Sequence, residues 1–164
     1  VSRYIEADDA LVEMFLKVLG KNFPMYQNLN FKLIYDTKKR MRSGKITFAT
    51  MELASEKLKF FSKDNVAVEG YDYILTMDQK AWDLGNDETR ERLVRHECRH
   101  VFVDEAGKLK LIGHDVEDFR EEIKLNADDP DWSFKLAIIV NDVYEQEKEM
   151  SKTDKAFKKG IKGE

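Results

Sequence analysis

An α+β fold follows from three features of the chain. Three short segments are rich in β-branched and aromatic residues and are bounded by Asn, Asp, Gly or Ser. At least three longer stretches repeat apolar residues at helical spacing. No Ser/Pro/Gly-rich linker and no internal repeat divides them. The expectation is a short mixed or antiparallel sheet of about three strands packed with three to four helices.

The elements follow in order. Residues 8–19 place Leu11, Phe15 and Val18 on one face with Met14 beside them, opened by acids that suit a helix N-terminus and ended near Gly20. Residues 31–35 (FKLIY), 45–50 (KITFAT) and 71–77 (YDYILTM) are the three predicted strands. Residues 51–61 fit neither period, because Leu53, Leu58, Phe60 and Phe61 share no face, and they stay open between a helix and an irregular excursion. Asn86 or Asp87 caps a helix predicted to run to about Val103, and Asp115 caps one from 116 to 122 with Val116, Phe119 and Ile123 as its stripe. A last helix begins near Asp128-Asp129-Pro130-Asp131, whose acids serve its N-terminus, and carries Trp132, Leu136, Ile139, Val143 and Tyr144.

Composition narrows the function classes. The chain has 164 residues, 42% of them hydrophobic and 37% charged, which suits one folded domain. Its one cysteine, Cys98, forms no intramolecular disulfide, so stability rests on the core. No apolar run approaches the roughly 18 residues of a membrane span, and the acidic start VSRYIEADD is unlike a signal peptide. The expected location is the cytoplasm, with no membrane partner. A net charge of −4 is opposite to the basic footprint of a duplex-binding domain. In residues 151–164 five lysines face only Asp154 and Glu164, so this stretch is expected to be a flexible, solvated tail following a domain of residues 1–150. Any nucleic-acid contact would come from that tail.

The informative segment is His96-Glu97-Cys98-Arg99-His100, an H-E-x-x-H within a helical window. Residues four apart share a helix face with Cβ atoms about 5–6 Å apart, so two imidazoles can meet one zinc ion at roughly 2.0–2.1 Å. Glu97 projects beside them, suited to act as general base toward a metal-activated water. All three histidines of the chain fall between positions 96 and 114. Val94, Cys98, Val101 and Phe102 form a separate apolar arc, which turns Cys98 away from the metal and makes it a small buried hydrophobe. Arg92, Arg95 and Arg99 occupy the third side, solvated or paired with acids.

A catalytic zinc takes three protein ligands and keeps one position open. His114 is the first candidate for the third ligand, reached through a turn at 104–107 and a short extended piece at 108–111. Glu117 is the second candidate, and Asp118 or Asp115 would orient a ligating imidazole. A closed structural site would need four ligands and favours cysteine, which points the wrong way here. Tyr71, Tyr73, Arg99 or a lysine would stabilise a tetrahedral intermediate, a role left unassigned among them.

H-E-C-R-H, followed by V-D-E-A-G-K and H-D-V-E-D-F, together with FKLIYD and YDYILTMDQKAW upstream, resembles the phage metallopeptidases, relatives of the SprT-like zincins, over residues 30–120. The resemblance implies a minimal zincin-like fold with the H-E-x-x-H helix beneath the sheet. It also implies His96, His100 and His114 as zinc ligands, Glu97 as catalytic base, and a phage or prophage origin, hence the host cytoplasm.

The reading is a zinc-dependent metallopeptidase acting on extended peptide or protein substrate, held along an exposed edge such as the 71–77 strand. Manganese, cobalt or nickel would suit the same nitrogen-rich site. The rivals are a non-catalytic, metal-containing module of phage origin that binds a host protein or nucleic acid, a plain interaction protein without metal, and a SprT-like role on DNA-bound proteins.

Overall fold

The computed structural model describes residues 2–114 and 118–162. Its first strand is β1 (Tyr4–Glu6), followed by α1 (Asp9–Asn22), a 3₁₀ turn (Pro24–Tyr26) and β2 (Phe31–Asp36). A two-residue hairpin, β3 (Met41–Arg42) and β4 (Lys45–Ile46), leads into β5 (Ala49–Leu53), α2 (Glu56–Phe61) and β6 (Tyr73–Asp78). Then come α3 (Gln79–Leu84), α4 (Asp87–Cys98), the hairpin β7 (Val101–Val103) and β8 (Leu109–Leu111), α5 (Arg120–Leu125) and α6 (Trp132–Lys162). The class is α+β: among the described residues, six α-helices accompany a mixed four-stranded sheet and two small hairpins.

The sheet order is β1-β2-β6-β5, with β2 and β6 parallel and both outer pairs antiparallel. Register aligns Phe31, Leu33 and Tyr35 with Tyr73, Leu75 and Met77, and these with Leu53, Met51 and Ala49. Period-2 alternation therefore gathers nine mostly apolar side chains on one face, where Leu11, Phe15 and Val18 of α1 and Leu93, Val94 and Cys98 of α4 join the same core. Phe15 meets Phe31 edge-on and Phe31 stacks on Tyr73, with ring centroids 4.9 and 5.5 Å apart. At the strand ends Asp36 and Asp78 are fully buried. Asp36 accepts two hydrogen bonds from Arg3, while Asp78 caps α3 through Ala81 N–H and accepts from Tyr144 of α6.

Several predicted boundaries move, each for a physical reason. The segment at 45–50 is two strands, because Ser43 and Gly44 both have positive φ and close a tight hairpin before the chain enters the sheet at Ala49. The open stretch 51–61 divides into the end of β5 and α2, with Ser55 accepting from Leu58 N–H as its cap. The first helix passes through Gly20 to Asn22. The helix predicted to reach Val103 stops at Cys98, since Val101-Phe102-Val103 pair with Leu109–Leu111 instead. The proposed cap Asp115 lies outside the described residues, and the helix that follows runs from Arg120 to Leu125 with Ile123 exposed. The buried stripe of α6 is Trp132, Leu136 and Val140, with Ile139 facing solvent. Residues 151–162, expected as a flexible tail, continue α6, supported by good helix formers and the Lys152–Glu149 pair. Their described side chains are exposed. No helix among the described residues is long and apolar enough to cross a membrane.

Gly70, at φ +89°, delivers the chain into β6 where a Cβ would stand 1.9 Å from the Lys59 carbonyl oxygen. Gly70→Ala should therefore cost about 3 kcal/mol or more. Thermal unfolding followed by circular dichroism should show a midpoint lower by roughly 6–12 °C. An unchanged midpoint would mean that α2 is not packed against this turn.

Candidate metal centre

Local sequence places the motif. Asn86 caps α4 by accepting from Thr89 N–H, and Asp87 and Glu88 complement the first turn. Leu93, Val94 and Cys98 bind the helix to the core. At its end His100 N–H donates to the Glu97 carbonyl at 3.1 Å, a tightened last turn that carries His100 just past the helix. The β7–β8 hairpin, turning at Gly107 with φ +80°, brings the chain straight back. Ile112 N–H then donates to the His100 carbonyl (2.8 Å), and His100 Nδ1 donates to the Ile112 carbonyl (2.6 Å). His114 follows two residues later.

The three histidines converge. His96 Nε2 and His114 Nε2 are 3.0 Å apart, and one nitrogen from each of His96, His100 and His114 lies within 4.8 Å of the others. Small side-chain rotations bring such a set round one ion at about 2.0–2.1 Å. The two imidazoles of the motif have the second nitrogen occupied: His96 Nδ1 donates to Asp118 Oδ1 at 2.8 Å, and His100 Nδ1 to the Ile112 carbonyl. This fixes the tautomer that turns an Nε2 lone pair outward, the arrangement that ligating histidines require. The donor set therefore fits a divalent transition metal such as zinc. Beneath it the Phe119 ring lies 5.4, 5.0 and 5.1 Å from the rings of His96, His100 and His114, an apolar floor common to all three.

Electrostatics distinguishes the members. Burial opposes charge on His96, yet the Asp118 hydrogen bond and the carboxylates of Glu97, Asp118 and Glu122 raise its pKa. At His100 burial, with the neighbouring His96 and His114, lowers the pKa against the opposing Ile112 hydrogen bond and Asp118. Burial also works against the Asp118 charge, but His96 and the Phe119 N–H hold that carboxyl below its ordinary range. Glu97 is buried, and burial pushes its pKa up against the opposing effects of His96, a Met51 backbone hydrogen bond and Arg40.

Glu97 and the three histidines share one cleft of about 460 Å³, walled by Ala49, Met51, Leu93, Leu111 and Trp132. The cleft runs along β5, one of the two outer strands of the sheet, whereas the 71–77 segment expected as an exposed edge forms the interior strand β6. Cys98 is buried in the core. Glu117 lies outside the described residues. The suggested donors to a tetrahedral intermediate are engaged elsewhere: Tyr71 donates to Asp64, Tyr73 to the Phe102 and Lys110 carbonyls, and Arg99 to Glu122. Among the described residues, the arginine lining the cleft is Arg42 of the β3–β4 hairpin.

Sequence reasoning did not find four contributors. Phe119 reads as part of a helix stripe, Ile112 acts through its backbone, and Arg42 sits in a hairpin with no motif. Glu122 is fully buried and accepts from both Arg95 (2.7 Å) and Arg99 (2.9 Å), fastening α5 to α4. The four-residue spacing of Arg95 and Arg99, one step ahead of His96 and His100, was the available signal for it.

Comparison with curated proteins and with solved structures gave no significant match. A scan of family profiles matches one across residues 2–155, so nearly all of the fold just described, including the histidine triad and Glu97, lies within it. The chain belongs to the putative phage metallopeptidase family.

Proposed function

We propose that this protein is a zinc-dependent peptidase whose substrate lies extended along β5. The observation that supports it most is the convergence of three imidazole nitrogens, two of them on rings whose Nδ1 is held by an acceptor, in the cleft that also contains Glu97. Family membership points the same way.

His96, His100 and His114 would hold the metal, and Asp118 and the Ile112 carbonyl keep two of these rings in the ligating tautomer. When bound by these histidines, zinc would supply Lewis acidity, of the kind that lowers the pKa of a water to about 7. Glu97 takes the proton of the attacking water and returns it to the leaving amine. Its buried position raises its proton affinity. β5 is an edge of the sheet beside the cleft, and a substrate strand added there would come from flexible or unfolded segments rather than rigid ones.

Elemental analysis of protein purified without added metal should find about one zinc per chain, lost in His100→Ala and in His114→Ala. Stoichiometric zinc in His114→Ala would move the third ligand to Glu117. Asp118→Asn should weaken zinc binding about 10–100-fold, read by chelator competition. In Glu97→Gln, zinc should stay bound while hydrolysis of an unstructured peptide falls at least about 100-fold. Full hydrolysis in that variant would remove Glu97 from the mechanism. Zinc without turnover in the wild type would leave a metal-containing interaction module.

A further inference from the structure

A second groove opens from the catalytic cleft. Met41, Ile46 and Phe48, on and just after the β3–β4 hairpin, face Phe134, Ala137 and Ile138 on the first turns of α6 across a space of about 540 Å³. Ile46, Phe48 and Ser133 line both spaces, so the groove and the cleft are continuous. Met41, Phe134 and Ile138 are exposed by 53%, 68% and 51%, so two elements present open apolar surface to the same space. The walls are tied at the hairpin's base, where Lys39 Nζ donates to Asn141 of α6 at 2.7 Å.

Direction follows from the strand. β5 passes Glu97 at Met51, and going back along the chain from Met51 to Phe48 covers about 10 Å at roughly 3.3 Å per residue. A peptide paired along β5 therefore places a side chain two to three residues from its reacting carbonyl at the mouth of the groove. Side chains alternate along an extended peptide, so one large side chain in this region turns inward while its neighbours point away.

We propose that this groove is the specificity subsite of the peptidase, and that the preferred substrate is an extended peptide with a large apolar residue, such as Leu or Phe, two to three positions from the cleaved bond. The assignment rests on the peptidase reading for its occupant. Apolar lining and continuity with the cleft select that occupant over a charged or polar side chain. Ile138 and Phe134 determine specificity and take no part in bond cleavage.

The test separates this subsite from catalysis by measuring binding. Two fluorescent peptides of identical Gly/Ser-rich background, one with a central Leu and one with Ser in its place, are titrated against full-length Glu97→Gln protein loaded with zinc. The Leu peptide should bind about tenfold more tightly. In Glu97→Gln combined with Ile138→Asp, and again with Phe134→Ser, the preference should fall to about twofold or less with the thermal midpoint unchanged. Equal binding of both peptides, or a preference that survives both substitutions, overturns the proposal. A concentration-dependent dimer that Ile138→Asp dissociates, without peptide preference, assigns the groove to a second copy and also overturns it. Wild-type hydrolysis with no Leu preference removes the subsite and keeps the peptidase. Leu preference in Glu97→Gln with no wild-type hydrolysis keeps the groove as a peptide-binding site and removes the peptidase.

Discussion

The buried ion cluster at Glu122 is the constraint on which the site's geometry depends. A fully buried carboxylate survives only when its hydrogen-bonding capacity is met, and Arg95 and Arg99 meet it from successive turns of α4. Asn126 accepts from Arg92 and Arg95, so three arginines of one helix grip α5 and its C-terminal cap. That grip sets the position of Phe119 and Asp118 just ahead of α5, and through them the floor under the three imidazoles and the acceptor for His96. Two i, i+4 pairs are thus interleaved in RHECRH. The arginine pair fastens the support, and the histidine pair, rotated by about 100°, faces the cleft.

The site was legible in sequence where chemistry is written as spacing. His96, Glu97 and His100 stand at fixed helical intervals, and His114 was reachable because a turn and a short strand were visible between it and His100. What spacing did not disclose depends on tertiary closure. The 73–78 strand is interior because β2 pairs with it on one side and β5 on the other, which leaves β5 as one of the sheet's two edges. The helix end at Cys98 was misplaced for a similar reason. Val101-Phe102-Val103 suits a helix face and a strand equally, and only pairing with Leu109–Leu111 decides between them. Phe119 carried no local signal, since an aromatic under a cluster of histidines is indistinguishable in sequence from one in a core stripe.

Contacts behind the three histidines shape the cleft as much as the histidines themselves do. Ile112, just after β8, is bonded to His100 through both its N–H and its carbonyl, so the end of the hairpin and the ring it orients are tied together. Met51 contributes its backbone to Glu97 while its side chain sits in the core, which couples this buried carboxyl to the sheet rather than to solvent. Arrangement of this kind lowers the reorganisation needed when a ligand or substrate arrives.

α6 has a different consequence. At 1.5 Å per residue its 31 residues extend about 46 Å, but fully buried side chains end at Val140, with Val143 and Tyr144 half-buried one turn later. Beyond that point roughly 27 Å of helix depends on residue propensity and pairs such as Lys152–Glu149, near the length at which isolated helices are marginal in water. Backbone protection along α6 is therefore graded: its first turns share the cooperativity of the core, while its lysine-rich end opens and recloses locally, independently of the fold that holds the histidines.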